Sequence, residues 1–345
     1  MIYKFSLIEK ILLSNDIIPH PLADAGSSVG LAFALGSAVK LKIVDQLTMD
    51  FKEVKQIAKA ANVSEIGATL ILDCIDALGY VQKKGTEYAF TKRGFKNLSE
   101  QSPHNFRYFI LFCNDLFKGY LKLDETIQMG KSAGLGNLEA MTDYEWELFS
   151  RAMIDISRTN YKEVAGKIPV AKTYTKMLDL GGCHGLYSIE LCNRNPNLQS
   201  IIVDFPQVKK YADECIAQQN AAKHVSFLPS DFIKDEVPKG VDIILGFNII
   251  HGFNTSENEA LAKKIFNSLN DGGLYVILDQ IKGIGGSSQM SKATTSFMAL
   301  NLLHQAGGKT YSKDEIDNFT QKVGFRKSVL KKLNAPGFGI VICYK

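Results

Sequence analysis

Residues 177–192, MLDLGGCHGLYSIELC, decide the fold. A short apolar run at 177–180 leads into Gly-Gly-Cys-His-Gly at 181–185, and apolar residues then recur at the spacing of a helix. Strand, glycine turn and helix in this order open a doubly wound nucleotide-binding sheet. Glycines let the backbone come close to a ligand, and the free N–H groups of the helix N-terminus can bind polar ligand atoms. The stretch therefore predicts a cofactor site at this turn.

The spacing of the glycines narrows the choice of ligand. A dinucleotide fingerprint reads G-x-G-x-x-G, but counted from Gly181 its second and third glycines are replaced by Cys183 and Leu186. A P-loop is also excluded because no Gly-Lys-Ser/Thr follows. What remains is Asp-x-Gly-x-Cys-x-Gly, which begins at Asp179. A generic glycine turn in another α/β protein would have the same pattern.

This pattern resembles motif I of the class I S-adenosylmethionine (SAM)-dependent methyltransferases, Asp/Glu-x-Gly-x-Gly-x-Gly, with Cys183 at the middle glycine. The resemblance continues in order from about Lys40 to the C-terminus and is closest to the caffeate/hydroxyindole O-methyltransferases. It implies an α/β protein with a Rossmann-like, seven-stranded methyltransferase sheet and an N-terminal, mainly helical winged-helix dimerisation domain. It also implies SAM as the cofactor and S-adenosylhomocysteine (SAH) as the product.

Composition limits the class of protein. The chain has 345 residues, 46% hydrophobic and 22% charged, which is typical of a soluble globular protein of about two domains. The net charge of +4, from 40 basic and 36 acidic residues, is too small to indicate a nucleic-acid partner. No apolar run approaches the ~20 residues that span a bilayer, so we expect no membrane partner.

The cysteines and the N-terminus both favour a cytoplasmic protein. The six cysteines are scattered and none forms C-x-x-C, so we expect reduced thiols and no metal site. Lys4, Glu9 and Lys10 interrupt the apolar residues near the N-terminus. That stretch also lacks the small-residue cleavage site of a signal peptide.

Residues 51–94 have the pattern helix, turn, helix and β-hairpin, which is typical of a winged-helix unit. Ser64 is a suitable N-cap for the second helix. A DNA-recognition helix needs outward Arg, Lys, Asn or Gln side chains, but residues 64–78 contain no Lys or Arg and carry three acidic residues. This charge favours a structural or dimerisation role over DNA binding. Residues 27–47 ahead of it predict one helix, which should be buried or lie in a subunit interface.

The same region resembles the N-terminal domain of the small-molecule O-methyltransferases, for example in Tyr-Ala-Phe-Thr-Lys-Arg-Gly at 88–94. In that family the domain forms an intertwined homodimer and shapes the substrate pocket. The pattern at 144–168 predicts a further long helix that connects the two domains. The resulting boundaries are residues 1–100 for the winged-helix domain, 101–168 for a helical linker that contributes to the substrate pocket, and 169–345 for the SAM-binding domain.

Acidic residues at the ends of the following strands extend the cofactor site. Asp204 ends the predicted second strand, where one carboxylate can accept hydrogen bonds from both ribose hydroxyls; a helix N-cap is the alternative. Its neighbours 203–208 resemble the Asp-Leu-Pro-x-Val motif of the O-methyltransferases. The resemblance places Asp231 and Phe232 against the adenine, although Asp231 could be a simple turn residue. The predicted cofactor-binding residues are Asp179, Gly181, Gly182, Gly185, Asp204, Phe205, Ser230, Asp231, Phe232 and Asn248.

A histidine follows the predicted fourth strand. His251 lies where ligands bind in such sheets, and an unperturbed pKa near ~6.5 suits a general base for a hydroxyl group. The resemblance gives His251 that role and places Asp279 where an acid orients it. The chain departs from the plant enzymes in having Gly252 and Phe253 after the histidine, and Phe247 where a cofactor-contacting Lys is common. It also lacks a second supporting Glu, near Thr310.

The resemblance suggests that Phe109, Phe112 and Met153 line the substrate pocket, with packing in the core as the alternative. The helix predicted over 290–305 should roof this pocket and carries Phe297, Met298 and Leu302.

The sequence thus predicts a SAM-dependent O-methyltransferase that acts on a small, aromatic hydroxyl compound. The identity of the acceptor is not fixed by the sequence, and N- or S-methylation stays open. The alternatives are a relative that binds SAM but catalyses decarboxylation or hydroxylation, a winged-helix ligand sensor, and an NAD enzyme.

Overall fold

The computed structural model describes residues 7–15, 17, 19, 21, 24–133 and 140–345. The chain divides into two compact units, Met1–Lys118 and Gly119–Lys345, which we call the N-terminal and C-terminal units. In the described part of the chain, no helix is both long and apolar enough to cross a bilayer.

The N-terminal unit is mainly helical. Its three short strands form an antiparallel sheet in the order β1-β3-β2. Its elements are α1 (Leu7–Ser14), α2 (Ser28–Lys40), β1 (Lys52–Glu53), α3 (Val54–Ala61), α4 (Glu65–Ala77), β2 (Val81–Lys84), β3 (Glu87–Phe90), α5 (Lys92–Leu98) and α6 (Arg107–Lys118).

The predicted order of helix, turn, helix and hairpin is present in this unit. Asn62 ends α3 in the left-handed region, with φ 55°, and Ser64 caps α4 by accepting a hydrogen bond from the Gly67 N–H (3.1 Å). The single helix predicted over 27–47 is wrong. It ends at Lys40 and continues as the 3₁₀ turn Val44–Gln46, because Lys42 takes a positive φ of 57° that a right-handed helix cannot contain.

The C-terminal unit alternates strands and helices. One prediction fails here, since the long helix expected over 144–168 is two helices. The chain leaves helical geometry at Asn160, with φ −138°, where Thr159 and Asn160 are both weak helix formers. The elements are α7 (Leu123–Met129), α8 (Asp143–Ser157), α9 (Tyr161–Lys167), β4 (Lys176–Leu180), α10 (Leu186–Arg194), β5 (Gln199–Asp204), α11 (Lys209–Gln218), β6 (Val225–Pro229), β7 (Val241–Phe247), α12 (Thr255–Ser268), β8 (Leu269–Lys282), α13 (Gln289–Ala306), β9 (Tyr311–Ser312), α14 (Lys313–Lys322), β10 (Lys327–Lys332) and β11 (Phe338–Tyr344).

These strands form one sheet in the order β10-β11-β8-β7-β4-β5-β6, and the short β9 pairs with β8. Strands β4, β5, β6, β7 and β8 run parallel to one another, whereas β11 runs antiparallel to β8 and β10. The predicted seven-stranded sheet and its final antiparallel hairpin are confirmed. Alternate residues of β8 enter separate apolar clusters, so both faces of the sheet are covered.

The strand order reverses beside β4. Strand β4 pairs with β5 on one side and with β7 on the other, and ligands of doubly wound sheets bind at the carboxyl ends of the strands at such a point. The segments that leave β4, β5, β6, β7 and β8 all start from this edge. The glycine turn, Asp231 and His251 lie on these segments, whereas Asp204 is the last residue of β5 and Asp279 lies near the end of β8.

Candidate active site

The turn after β4 is packed so closely that it requires glycine. Gly181 and Gly185 have φ of 67° and 69°, a region that other residues rarely adopt. A Cβ on Gly185 would lie 2.4 Å from Ile202 Cδ1, and one on Gly182 would lie 2.5 Å from Asp179 Cγ. Atoms of Asp179 and Ile202 therefore leave no room for a side chain at Gly182 and Gly185.

Asp179 supports this turn from inside the protein. Its side chain is fully buried, and Oδ2 accepts a hydrogen bond from Ser188 Oγ (2.7 Å). Burial raises the pKa of Asp179 to about 7, against the lowering effect of that hydrogen bond. Because no part of the side chain reaches the surface, it can act on a cofactor only through the backbone of the turn.

Asp204 joins the end of β5 to the glycine turn. Its Oδ2 accepts a hydrogen bond from the backbone N–H of Cys183 (2.8 Å), and its Oδ1 accepts one from the N–H of Phe205 (2.7 Å). Burial raises the pKa of Asp204 to about 6, while both hydrogen bonds lower it. A carboxylate has about four acceptor positions, so Asp204 keeps capacity for a diol such as a ribose.

The segment after β6 combines an aromatic ring with a polar turn. The ring of Phe232 borders the glycine turn, since a Cβ on Gly181 would lie 3.7 Å from it. Asp231 Oδ1 accepts from the backbone N–H two residues later (3.1 Å), and Ser230 Oγ donates to Asp235 Oδ2 (2.8 Å). Asp231 is thus a turn residue in this structure, and its other oxygen, Oδ2, lies 3.3 Å from Lys234 Nζ.

His251 lies in a 3₁₀ turn, Ile250–Gly252, directly after β7. Its Nδ1 is 2.8 Å from Asp279 Oδ1. The side chain of Asp279 is 1% exposed and that of His251 is 23% exposed. Since Nδ1–H donates to the carboxylate, the lone pair of the other ring nitrogen, Nε2, is free to accept a proton. The chain segment that carries His251 also borders the glycine turn, because Ile249 packs against Gly181.

Two opposing effects set the basicity of His251. Burial by itself lowers the pKa of the imidazole, but the negative charge of Asp279 and its hydrogen bond outweigh burial and raise the pKa above the ordinary 6.5. The proximity of the pair makes His251 a stronger base than a free histidine. This arrangement can remove a proton from a hydroxyl group.

Three residues that sequence reasoning missed hold this turn in place. Asn258 Nδ2 donates to the carbonyl oxygen of Ile250 (2.9 Å), and Tyr311 Oη donates to that of Phe253 (2.6 Å). Gly308 packs so closely that a Cβ there would lie 1.9 Å from the carbonyl oxygen of His251. A lone Asn, Tyr or Gly carries no sequence signal for such a contact.

The buried His184, inside the glycine turn, was also missed, because a histidine among glycines gives no sign of its partners.

Of the predicted cofactor residues, Asn248 directly follows β7 and has a φ of 54°. Its N–H donates to the Leu278 carbonyl oxygen (2.7 Å).

Four of the predicted substrate-pocket residues lie in the C-terminal unit and two lie in the N-terminal unit. Phe297, Met298 and Leu302 lie on α13, where Phe297 stacks on Tyr120 at 6.0 Å between ring centroids. Met153 is half-buried on α8. Phe109 and Phe112 lie on α6 of the N-terminal unit and are half-buried there. Among the residues described, no three His, Cys, Asp or Glu side chains come together as a metal site.

Comparison with known proteins adds to this geometry. Residues 120–326 match a protein family described as the O-methyltransferase domain. The 3-hydroxy-5-methyl-1-naphthoate 3-O-methyltransferase of Streptomyces sahachiroi is 21% identical over 94% of this chain and 94% of its own. The tetracenomycin polyketide synthesis 8-O-methyl transferase TcmO of Streptomyces glaucescens is 25% identical over 90% of this chain and 91% of its own.

A solved structure shares the fold along the whole chain. Human N-acetylserotonin methyltransferase in complex with SAM has a TM-score of 0.81 to this structure and 18% sequence identity. The match covers 100% of this chain and 99% of the human one.

Proposed function

The chain belongs to the O-methyltransferase family and is a SAM-dependent enzyme, and we propose that it methylates a hydroxyl group of a small aromatic molecule with His251 as the general base. The observation that carries this proposal is the 2.8 Å contact between His251 Nδ1 and Asp279 Oδ1. The pair stands at the edge of the sheet from which the glycine turn also projects.

The turn after β4 fits a SAM molecule. Gly181 and Gly185 allow the positive φ angles of 67° and 69° with which the backbone turns from β4 into α10, and Asp204 keeps acceptor capacity for ribose hydroxyls. When bound, SAM supplies a methyl group on a positively charged sulfur and leaves as SAH. The residues that we propose hold it are Gly181, Gly182, Gly185, Asp204, Phe205, Ser230, Asp231, Phe232 and Asn248, with Asp179 acting through the turn.

His251 would remove the proton from the acceptor hydroxyl. The neutral imidazole accepts it at Nε2, while Nδ1–H stays hydrogen-bonded to Asp279. The carboxylate then stabilises the imidazolium that forms, as in other pairs of a base and an acid. The fixed 3₁₀ turn contributes by holding the base in one orientation, because alignment alone can lower a barrier substantially.

Two observations support an aromatic acceptor. The relative from Streptomyces sahachiroi is named for a naphthoate substrate, and Phe297 of α13 stacks on Tyr120 within the same unit as His251. We propose that Phe297, Met298, Leu302 and Met153 contact the acceptor. We propose the same role for Phe109 and Phe112 of the N-terminal unit.

The departures from the plant enzymes leave the base intact. Phe247 is buried, and its ring meets that of Tyr187 edge to face at 5.1 Å. At the departure near Thr310, the backbone N–H of Lys309 donates a hydrogen bond to the His251 carbonyl oxygen (3.0 Å). An intact base supports methyl transfer over SAM-binding relatives with other chemistry.

The test is His251→Ala. We expect methyl transfer from labelled SAM to phenolic and hydroxynaphthoate acceptors to fall roughly 10²–10⁴-fold, the usual contribution of a general base, while SAH binding measured by calorimetry persists. His104→Ala, at an exposed histidine, is the matched control and should keep full activity. Unchanged methylation by His251→Ala would exclude the general-base role.

We further propose that the protein is a cytoplasmic homodimer that assembles through its N-terminal unit, with the winged-helix domain at 1–100, the linker at 101–168 and the SAM-binding domain at 169–345. All six cysteines are free thiols in the structure, which supports a reducing compartment.

A further inference from the structure

His184 is a buried histidine within the glycine turn, and the mechanism above does not use it. It is 4% exposed. Its Nδ1 lies 3.1 Å from the backbone nitrogen of Leu186, the first residue of α10, and its Nε2 lies 2.8 Å from Ser157 Oγ, at the end of α8. Both ring nitrogens therefore have a partner.

These partners fix the protonation state of the ring. A backbone N–H can only donate, so Nδ1 of His184 carries no proton and accepts from Leu186. The single ring proton is on Nε2 and is donated to Ser157 Oγ. Burial lowers the pKa of His184 to about 3, which keeps the ring neutral at physiological pH.

The turn needs such a restraint because it contains a strained residue. Cys183, next to His184, has a φ of 44°, a region that is unfavourable for a residue with a Cβ. Three other hydrogen bonds also hold the turn. They run from the N–H of Gly181 to the Val203 carbonyl oxygen (2.9 Å), from the N–H of Cys183 to Asp204 (2.8 Å), and from the N–H of Gly185 to the Gly182 carbonyl oxygen (2.8 Å). The bond from Leu186 to His184 closes the turn on its helix side.

We propose that His184 is a positioning residue for the cofactor. It holds the SAM-binding turn through Leu186 and ties this turn to α8 through Ser157. Because Ser157 follows Met153 by one helical turn, the same residue links the cofactor turn to the helix of a proposed acceptor contact. This inference rests on the proposed function, since it takes the turn to be the SAM site.

Two substitutions separate the two hydrogen bonds. In His184→Asn, the side-chain oxygen can accept from the backbone N–H two residues later, as in an Asx turn, but the side chain is too short to reach Ser157. In His184→Gln, the longer amide can reach Ser157 but places no acceptor near Leu186. Both variants lose one buried hydrogen bond, so their stabilities should fall by similar amounts.

The experiment is calorimetric titration of the full chain with SAH, with urea unfolding as the measure of stability. We expect His184→Asn to bind SAH within about 3-fold of wild type and His184→Gln to bind roughly 10-fold or more weakly, since one lost hydrogen bond is worth about a factor of ten. Rescue by Asn but not by Gln is the signature of positioning through Leu186.

Tyr174→Phe is the matched control. It removes the hydrogen bond from Tyr174 Oη to the Gly272 carbonyl oxygen (2.6 Å), and Tyr174 lies before β4, at the end of that strand away from the glycine turn. Its SAH affinity should equal that of wild type.

Equal weakening of SAH binding by Asn and Gln, or wild-type affinity in both variants, would overturn the positioning role while leaving the proposed function intact. A wild-type protein that binds no SAH would instead overturn the proposed function, and this inference with it.

Discussion

The proposed chemistry depends on one pair of side chains, His251 and Asp279. The carboxylate is almost completely buried, and its Oδ1 accepts hydrogen bonds from both the imidazole and the backbone N–H of Gln280 (2.7 Å). The result is a histidine whose pKa is raised. Protonated His251 therefore stabilises the fold below about pH 6.5, and this contribution is lost as the pH rises through the raised pKa.

Asp279→Asn tests this coupling. A general base must be neutral, so the activity of the wild type should rise with pH through the raised pKa of His251. Replacing the carboxylate by an amide removes the negative charge, so the pKa of His251 should fall and the acidic limb of the kcat/KM profile should move to lower pH. The plateau should fall roughly 10²-fold because the imidazolium loses its partner.

The matched control is Asp271→Asn, which neutralises an exposed acid of the same strand and should leave the pH profile unchanged. An acidic limb at the same pH in Asp279→Asn and wild type would contradict the assignment.

At the scale of single residues, the sequence predicts the ends of strands well and buried polar contacts poorly. His251, Asp279 and Asp204 could be found because parallel strands place their last residues at one edge. The partners Asn258 and His184 could not, because their roles depend on which carbonyl or amide the fold brings within 3 Å of them. Sequence periodicity contains no information on such distances.

At the scale of elements, the 3₁₀ turn Ile250–Gly252 is the part that fixes His251, the proposed base. The turn is held from α12 by Asn258, from β9 by Tyr311, and by the backbone of the segment that precedes β9. The orientation of His251 thus depends on segments far apart in sequence.

Gly308→Ala should break this support. The added Cβ would lie 1.9 Å from the His251 carbonyl oxygen, and a backbone atom cannot move aside as a side chain can. We expect a loss of about 1–3 kcal/mol in the free energy of unfolding, as for overpacked cores, and a loss of methyl transfer as the turn shifts.

Gly252→Ala is the matched change on the other side of the contact, because a Cβ there meets nothing within 4 Å. Its stability should stay within about 0.5 kcal/mol of wild type. Urea unfolding measures both, and equal stabilities of the two variants would refute the close contact at Gly308.

The elements themselves were predicted with two exceptions. The strands of the C-terminal unit and the helix-turn-helix with its hairpin follow from apolar patterning, caps and glycines. The two helices that were predicted too long failed because apolar periodicity continued past Lys42 and Asn160, where the backbone leaves helical geometry. Periodicity reports which residues are buried and does not report where a helix ends.

At the scale of the whole molecule, the N-terminal unit exposes large apolar side chains. Their burial against a partner would lower the free energy. On α4, Ile66 is 71% exposed and Leu70 is 60% exposed, and their spacing places them on one helix face. On α1, Leu7 and Ile8 are also exposed. Such a surface favours association with a second copy.

Sedimentation should therefore give twice the mass of the 38.1 kDa chain at micromolar concentration. Ile66→Glu combined with Leu70→Glu should produce monomers, because charged side chains oppose burial. Leu121→Glu, at a 92% exposed leucine of the C-terminal unit, should remain dimeric. A wild-type monomer, or a dimeric double variant, would contradict the proposed assembly.

The central claim is that the edge of the sheet at β4 and β5 binds SAM for methyl transfer. Calorimetric titration with SAH tests it most directly, for wild type and for Asp204→Ala, which removes the proposed ribose acceptor. We expect one site per chain with a dissociation constant on the order of micromolar, or about −8 kcal/mol, and binding at least roughly 10-fold weaker in the variant. Absence of SAH binding by the wild type, or equal binding by the variant, would contradict it.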